Sequence, residues 1–136
     1  MEDVVVAGNV SVKTTTGGIK FSWHNVIVTK DVLVDLKTTT GGVDMNVTQD
    51  KGLLRNIKLK AEATTGGVDF AIEIQGDIGA RIEPSFTTGG VIIGSQVRFS
   101  NWLLVLQSDN YPARRNFDVS LKTTTGRINI DAKYAP

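Results

Sequence analysis

The chain has 136 residues and a formal net charge of +1, and this length is enough for one domain with a sizeable core. Because 40% of the residues are hydrophobic, the composition excludes a disordered tail, and no apolar run reaches the roughly 20 residues of a membrane span. Basic and acidic residues are interspersed, so there is no basic stripe to neutralise the phosphates of a nucleic acid. The absence of cysteine excludes disulfides and thiolate chemistry. Residues 1–7 lack the basic region and long apolar run of a signal peptide, so none is expected there.

Nearly the same motif occurs five times along the chain, and such internal repetition indicates a repeat architecture. The five motifs, numbered here as repeats 1 to 5, are VSVKTTTGGIKF at 10–21, VDLKTTTGGVDM at 34–45, KAEATTGGVDFAI at 60–72, EPSFTTGGVIIG at 83–94 and VSLKTTTGRINI at 119–130. Their first glycines are 24, 25, 23 and 37 residues apart. The period is therefore about 24 residues, with extra residues before the last motif, within or near 101–116.

Within each repeat, apolar and polar residues alternate on both sides of the glycines, as they do in a half-buried β-strand. In repeat 2, Val34 and Leu36 precede the glycines, and the apolar residues after them begin at Val43. The parity of the apolar positions changes across the Thr-Gly-Gly segment, so we expect the chain to turn a corner there. The predicted structural corners are Gly17, Gly18, Gly41, Gly42, Gly66, Gly67, Gly89, Gly90 and Gly126.

Two all-β architectures fit this pattern. In an antiparallel β-meander or sandwich of hairpins, Gly-Gly is a two-residue turn and Thr16 pairs with Ile19. In a right-handed, single-stranded parallel β-helix (β-solenoid) of about five coils, equivalent strands of the repeats stack in parallel. We favour the solenoid, because a corner that recurs at a fixed period stacks like side chains, whereas a hairpin does not need identical turns. The solenoid predicts two threonine ladders, one from Thr15, Thr39, Thr64, Thr87 and Thr124 and one from Thr16, Thr40, Thr65, Thr88 and Thr125.

The segment around 101–116 interrupts the period. Trp102 begins an apolar run that ends at Leu106, and a loop with Tyr111 follows it. Open strand edges at the ends of a solenoid invite association, and natural repeat proteins usually cap them. We therefore predict a single β-solenoid domain over 1–136, in which this irregular insertion caps or flanks the final coil. A homo-oligomer that forms through the coil ends is a possible assembly.

The glycine motifs do not have the context of a phosphate-binding loop. Such a loop leads into a helix whose N-terminus supplies N–H donors, whereas a strand follows each motif here. His24 is the only histidine, and no metal-ligand spacing surrounds it. The sequence therefore predicts no cofactor and no metal site.

Asp44 and Asp69 hold equivalent positions after their glycines and could lie one coil apart. β-Helical enzymes can cleave polysaccharides with clustered carboxylates, so this pair is a candidate catalytic site. The same position is Lys20 in repeat 1 and Asn129 in repeat 5, which indicates an ordinary solvated face. We predict no catalytic residue, and a polysaccharide-active enzyme is the weakest of the functional hypotheses.

The least repetitive part of the sequence contains Trp102, Tyr111, Arg114 and Arg115. Trp, Tyr and Arg are enriched in binding hot spots, and loops commonly carry function. These four residues are the candidate partner-binding residues. The alternative is a cap in which Trp102 is buried and the arginines are solvated.

The recurrent TTTGG units, with the closing stretch from Ser108 to Ile130, resemble the putative-adhesin (toastrack-type) β-repeat family of bacteria and archaea. The resemblance covers the chain from Val10 onward. It implies an all-β solenoid fold, a role in the cell envelope and no catalytic motif. The leading hypothesis is a non-enzymatic structural or binding domain, an adhesin-like envelope module with an unknown protein or glycan partner. The alternative hypothesis is a self-assembling β-helical scaffold.

Overall fold

The computed structural model describes residues 5–6, 9–24, 27–28, 31–49, 56–76, 78–102, 105–111 and 115–135. Alternating apolar residues form strands on both sides of each corner. The twelve strands are β1 Val5–Val6, β2 Val10–Thr16, β3 Ile19–His24, β4 Ile27–Val28, β5 Val32–Thr40, β6 Val43–Gln49, β7 Ile57–Thr65, β8 Val68–Gln75, β9 Ile78–Val97, β10 Phe99–Trp102, β11 Val105–Ser108 and β12 Arg115–Ala135. Strands β9 and β12 each run through a corner without a break. The part of the chain that the structure describes includes no helix long and apolar enough to cross a membrane.

The strands before the corners form one parallel ladder, and the strands after the corners form a second. The first ladder has the order β2-β5-β7-β12-β9, and the second has the order β3-β6-β8-β12-β9. Ile19 lies opposite Val43 of the next repeat, rather than opposite Thr16 of its own. The parallel, all-β prediction is therefore confirmed, and the antiparallel arrangement of hairpins was wrong.

The repeats do not stack in the order in which they occur along the chain. Repeat 5 lies between repeats 3 and 4, because β12 pairs with β7 and β8 on one side and with β9 on the other. The resulting order is 1-2-3-5-4. Stacking in chain order would put repeat 5 at one end, whereas the structure places it inside the stack.

Hydrogen bonds around Gly76 hold the link between repeats 3 and 4 while repeat 5 fills the space between them. The backbone N–H of Gly76 donates to the carbonyl oxygen of Ala135 at 2.9 Å. The hydroxyl of Tyr134 donates to the Gly76 carbonyl oxygen at 2.8 Å. The side-chain amide of Asn110 donates to the carbonyl oxygen of Ile78 at 2.9 Å. Residues just before β12 and at its end are thus hydrogen-bonded to the chain around Gly76 and Ile78, which connects repeats 3 and 4.

Strands β10 and β11 form an antiparallel hairpin at the repeat 4 end of the first ladder. Leu106 lies opposite Ile82, and Gln107 lies opposite Arg81. The backbone N–H of Ala80 also donates to Ser108 Oγ at 3.0 Å. The hairpin therefore pairs with repeat 4, which lies beside the final repeat in the stack.

The apolar side chains of both ladders fill one core. Trp23 is buried at the repeat 1 end, and its ring meets that of Phe117 edge-on, with centroids 5.9 Å apart. Trp23 Nε1 donates a hydrogen bond to Gln49 Oε1 at 2.9 Å, so the buried indole N–H is satisfied. The other fully buried large side chains are Phe117, Leu36, Met45, Ile57, Leu59, Ile72, Ile74, Ile78, Ile82, Leu106 and Leu121.

The first glycine of every corner has a positive φ, from 115° at Gly17 to 154° at Gly126. The corners also stack closely. The N–H of Gly41 donates to the carbonyl oxygen of Thr65 at 2.9 Å, and a Cβ on Gly41 would overlap the carbonyl group of Gly17. At this position glycine is required both by the backbone conformation and by the neighbouring corner.

The threonines before each corner have different environments. Thr16, Thr40, Thr65, Thr125 and Thr88 lie in register, in the stacking order of the repeats, and are exposed. The first threonine of the TTT motif is instead buried in repeats 2 and 5. The Thr38 hydroxyl donates to the Gly17 carbonyl oxygen at 2.9 Å, and the Thr123 hydroxyl donates to that of Gly66 at 2.8 Å. These buried threonines, which the sequence analysis did not single out, join neighbouring corners.

Candidate functional site

The structure places the four candidate partner-binding residues in different settings. Tyr111 is half-buried just after β11, and Arg115 is half-buried at the start of β12, opposite Ile78. Trp102 is the last residue of β10 and lies opposite Val105. Arg114 lies outside the described residues. Partner binding by these four residues stays a prediction.

Tyr111 contacts a charged face of the first ladder. Its hydroxyl donates a hydrogen bond to Asp118 Oδ1 at 3.1 Å. Asp118 lies in the middle strand of three, opposite Lys58 of β7 on one side and Arg81 of β9 on the other. Partial burial raises the pKa of Tyr111 above its ordinary value of 10.0, and the bond to the Asp118 carboxylate raises it further. The neutral hydroxyl is thereby favoured as a donor to Asp118.

Two rows of outward-facing side chains form a shallow groove of about 180 Å³ on this face. Lys58, Asp118 and Arg81 form one row, and Lys60, Ser120 and Glu83 form the other. Arg81 and Glu83 also form an ion pair within β9. Each row contains both positive and negative side chains. Such a surface suits a polar partner and not a uniformly charged one. We name this surface the Tyr111 face.

The Tyr111 face depends on the stacking order, which explains why the sequence analysis missed it. Arg81 and Lys58 belong to repeats 4 and 3, and Asp118 of repeat 5 comes between them only because β12 is inserted there. The alternation of polar residues gave a signal that these side chains point outward. It gave no signal that they are neighbours.

The candidate carboxylate pair lies in a second groove, of about 440 Å³, next to the corners. Asp44 lies opposite Asp69 in adjacent strands, and Lys20 lies opposite Asp44. Asp69 also accepts a hydrogen bond from Asn129 Nδ2 at 2.6 Å. The two aspartates are thus members of a row of polar side chains that runs across the second ladder, with a lysine and an amide beside them.

His24 is exposed at the end of β3, opposite Thr48. Among the residues that the structure describes, no three His, Cys, Asp or Glu side chains are grouped so that they could hold a metal ion.

The comparisons with known proteins identify a fold. No family model and no curated protein matches the chain. A solved structure does match it, that of a putative cell adhesion protein from Clostridium sporogenes, with a TM-score of 0.72 and 18% sequence identity. The match covers 94% of this chain and 57% of that chain, so this chain spans little more than half of its length. The two proteins share an all-β fold with parallel ladders over nearly all of the present sequence.

Proposed function

We propose that this chain is a non-enzymatic binding module of adhesin type, whose partner surface is the Tyr111 face. One observation carries the proposal. Lys58, Asp118 and Arg81 come from three different repeats, yet the stacking aligns them in one outward-facing row beside Tyr111. The strands fix the spacing of these charged residues, so partner binding does not have to order their backbone.

The partner class that fits this face is a glycan or a polar protein surface. Lysine and arginine supply donors, Asp118 and Glu83 supply acceptors, and Tyr111 supplies an aromatic edge. The name of the structural neighbour, a putative cell adhesion protein, supports an adhesive role. We further propose that the domain covers 1–136 as a right-handed solenoid of about five coils, of the toastrack type, with the segment around 101–116 as a cap, and that it works at the cell envelope.

Binding of the labelled chain to a glycan array and to intact bacterial cells tests the proposal. Lys60→Glu and Tyr111→Ala should each reduce binding, since one reverses a charge on the face and the other removes its aromatic residue. Lys133→Glu is the matched control, because Lys133 is exposed on the second ladder, away from this face. Equal binding by all three variants, or no binding by the unaltered chain, would contradict the assignment.

The non-enzymatic part of the proposal has its own test. The chain is incubated with acidic and neutral polysaccharides, and the release of new chain ends is measured. We expect none above background. Activity that disappears in Asp44→Asn would show that the carboxylate groove, and not the Tyr111 face, is the functional site.

A further inference from the structure

Among the described residues, one side of strand β9 is largely without a partner strand. Strand β9 pairs with β12 along one side. On its other side β11 pairs only with Arg81 and Ile82, and no described strand pairs with 83–97. The hairpin thus covers only part of the edge of the first ladder and leaves the whole edge of the second ladder, residues 91–97, open. We name these seven residues the open edge.

The open edge lacks the charges that guard the other strands. The sequence from 91 to 97 is VIIGSQV, without a charged residue. Every other strand segment of the second ladder carries at least one charge, and the exposed edge of repeat 1 carries Lys13 and Lys20. Natural proteins commonly place charges, above all lysine, on exposed edges to prevent pairing with another chain. The open edge therefore lacks this protection, although its register against β12 shifts at Gly94.

In the described part of the second ladder, the exposed large hydrophobic side chains lie at this end. Ile92 is 45% exposed and Val97 is 47% exposed. Their partners in β12 are Asn129 and Lys133, and repeats 1 to 3 have charged residues at the position of Ile92. Phe86, just before the corner, is exposed as well. Exposed apolar residues beside an unpaired backbone edge indicate an interface.

Head-to-tail stacking of a second copy does not fit this end. If the internal register continued, Val10 of the added copy would lie opposite Ile82, as it lies opposite Val34 within the chain. Leu106 of the hairpin already occupies that place. A second copy can therefore not continue the first ladder in the internal register, whereas no described strand occupies the edge of the second ladder.

We propose that two copies of this chain form a dimer by pairing their open edges antiparallel to each other. An uncharged strand can face its own copy without repulsion, and the same edge on both copies gives a closed two-fold dimer. The pairing joins the two second ladders into one continuous sheet and covers Ile92 and Val97. This assembly goes beyond the proposed binding function, since the open edge belongs to the second ladder and the Tyr111 face belongs to the first.

Analytical ultracentrifugation over a wide concentration range tests the dimer. The unaltered chain should show a monomer–dimer equilibrium, and Ile92→Lys should raise the dissociation constant at least about tenfold, because it places a charge on an otherwise uncharged edge, where charges oppose pairing. Val12→Lys is the matched control, since Val12 is similarly exposed, 41%, but lies at the repeat 1 end. Ile92 is exposed, so the variant should fold, which its melting curve verifies.

The chain has no cysteine, so a single introduced cysteine can crosslink only to the same residue of another copy. Ile92→Cys, at an exposed position of the open edge, should form a covalent dimer with a flexible bis-maleimide that spans several residues of the pairing, whereas Ser11→Cys at the repeat 1 edge should not. A crosslink that forms only when the two variants are mixed would show head-to-tail stacking and overturn the proposal. A chain that stays monomeric at all concentrations would also overturn the proposal. The same holds if that monomer binds a strand peptide of another protein at 91–97. Either result leaves the binding test of the Tyr111 face unaffected.

Discussion

The hydroxyl of Thr123 donates a hydrogen bond to the carbonyl oxygen of Gly66, 57 residues earlier in the chain and one layer away in the stack. The same kind of bond joins Thr38 to Gly17 at the repeat 1 end of the column. In both places a buried threonine hydroxyl of one repeat donates to the carbonyl oxygen of the corner glycine in the neighbouring repeat. The cohesion of the column thus includes specific polar bonds at its corners, in addition to its apolar core.

Thr123→Val should lower the free energy of unfolding by about 1–2 kcal/mol, because it removes a buried hydrogen bond while keeping the shape of the side chain. Thr124→Val is the control, since Thr124 is exposed. Urea denaturation measures both values. Equal stability of the two variants would mean that the bond to Gly66 contributes nothing.

Gly41→Ala should destabilise the protein more than Gly17→Ala. Both glycines have a positive φ, 129° and 115°, which costs a side chain about 1–3 kcal/mol. A Cβ on Gly41 would in addition overlap the carbonyl group of Gly17, whereas a Cβ on Gly17 would meet no atom. The difference in melting temperature between the two variants therefore isolates the cost of close stacking, and equal losses would argue against it.

Gln49→Leu should destabilise the fold by about 1–3 kcal/mol, because it leaves the buried indole N–H of Trp23 without its acceptor. The double variant Trp23→Phe, Gln49→Leu removes the donor as well. We expect Trp23→Phe to lower the free energy of unfolding less in the Gln49→Leu background than in the unaltered chain. A double-mutant cycle by urea denaturation measures this coupling, and additive losses would contradict it.

The raised pKa of Tyr111 predicts a stability change at alkaline pH. The unfolded chain releases this proton near pH 10.0, and the folded chain releases it only at a higher pH. The contribution is therefore fully present below pH 10.0 and is lost as the pH rises through the folded pKa. Stability should fall more steeply above pH 10.0 in the unaltered chain than in Tyr111→Phe, as denaturation at several pH values will measure. Parallel curves would show that Tyr111 titrates identically in both states.

Much of the fold could be predicted from the local sequence. The alternation around Val34 and Leu36 identified buried positions, and the recurrence of one corner favoured parallel stacking over hairpins. Both are short-range signals, because a strand of period two and a glycine corner are written in a few consecutive residues.

The stacking order could not be predicted, for a physical reason. Repeats 3, 4 and 5 have the same inward pattern, so β12 could pair with β9 alone or between β7 and β9 with similar burial. Bonds far apart in sequence distinguish these arrangements, such as that of Tyr134 to Gly76. This order determines the neighbours of Asp118. The Tyr111 face could therefore not be predicted from the sequence either.

The insertion of repeat 5 between repeats 3 and 4 also dictates when the protein can fold. A ribosome makes repeats 3 and 4 first, and both must keep one flank vacant until β12 has emerged. A simple solenoid can grow coil by coil during synthesis, with each new coil adding to a finished surface. Here the edges of β7 and β9 stay unpaired until β12 has been synthesised, so the incomplete chain exposes two strand edges that could pair with other chains.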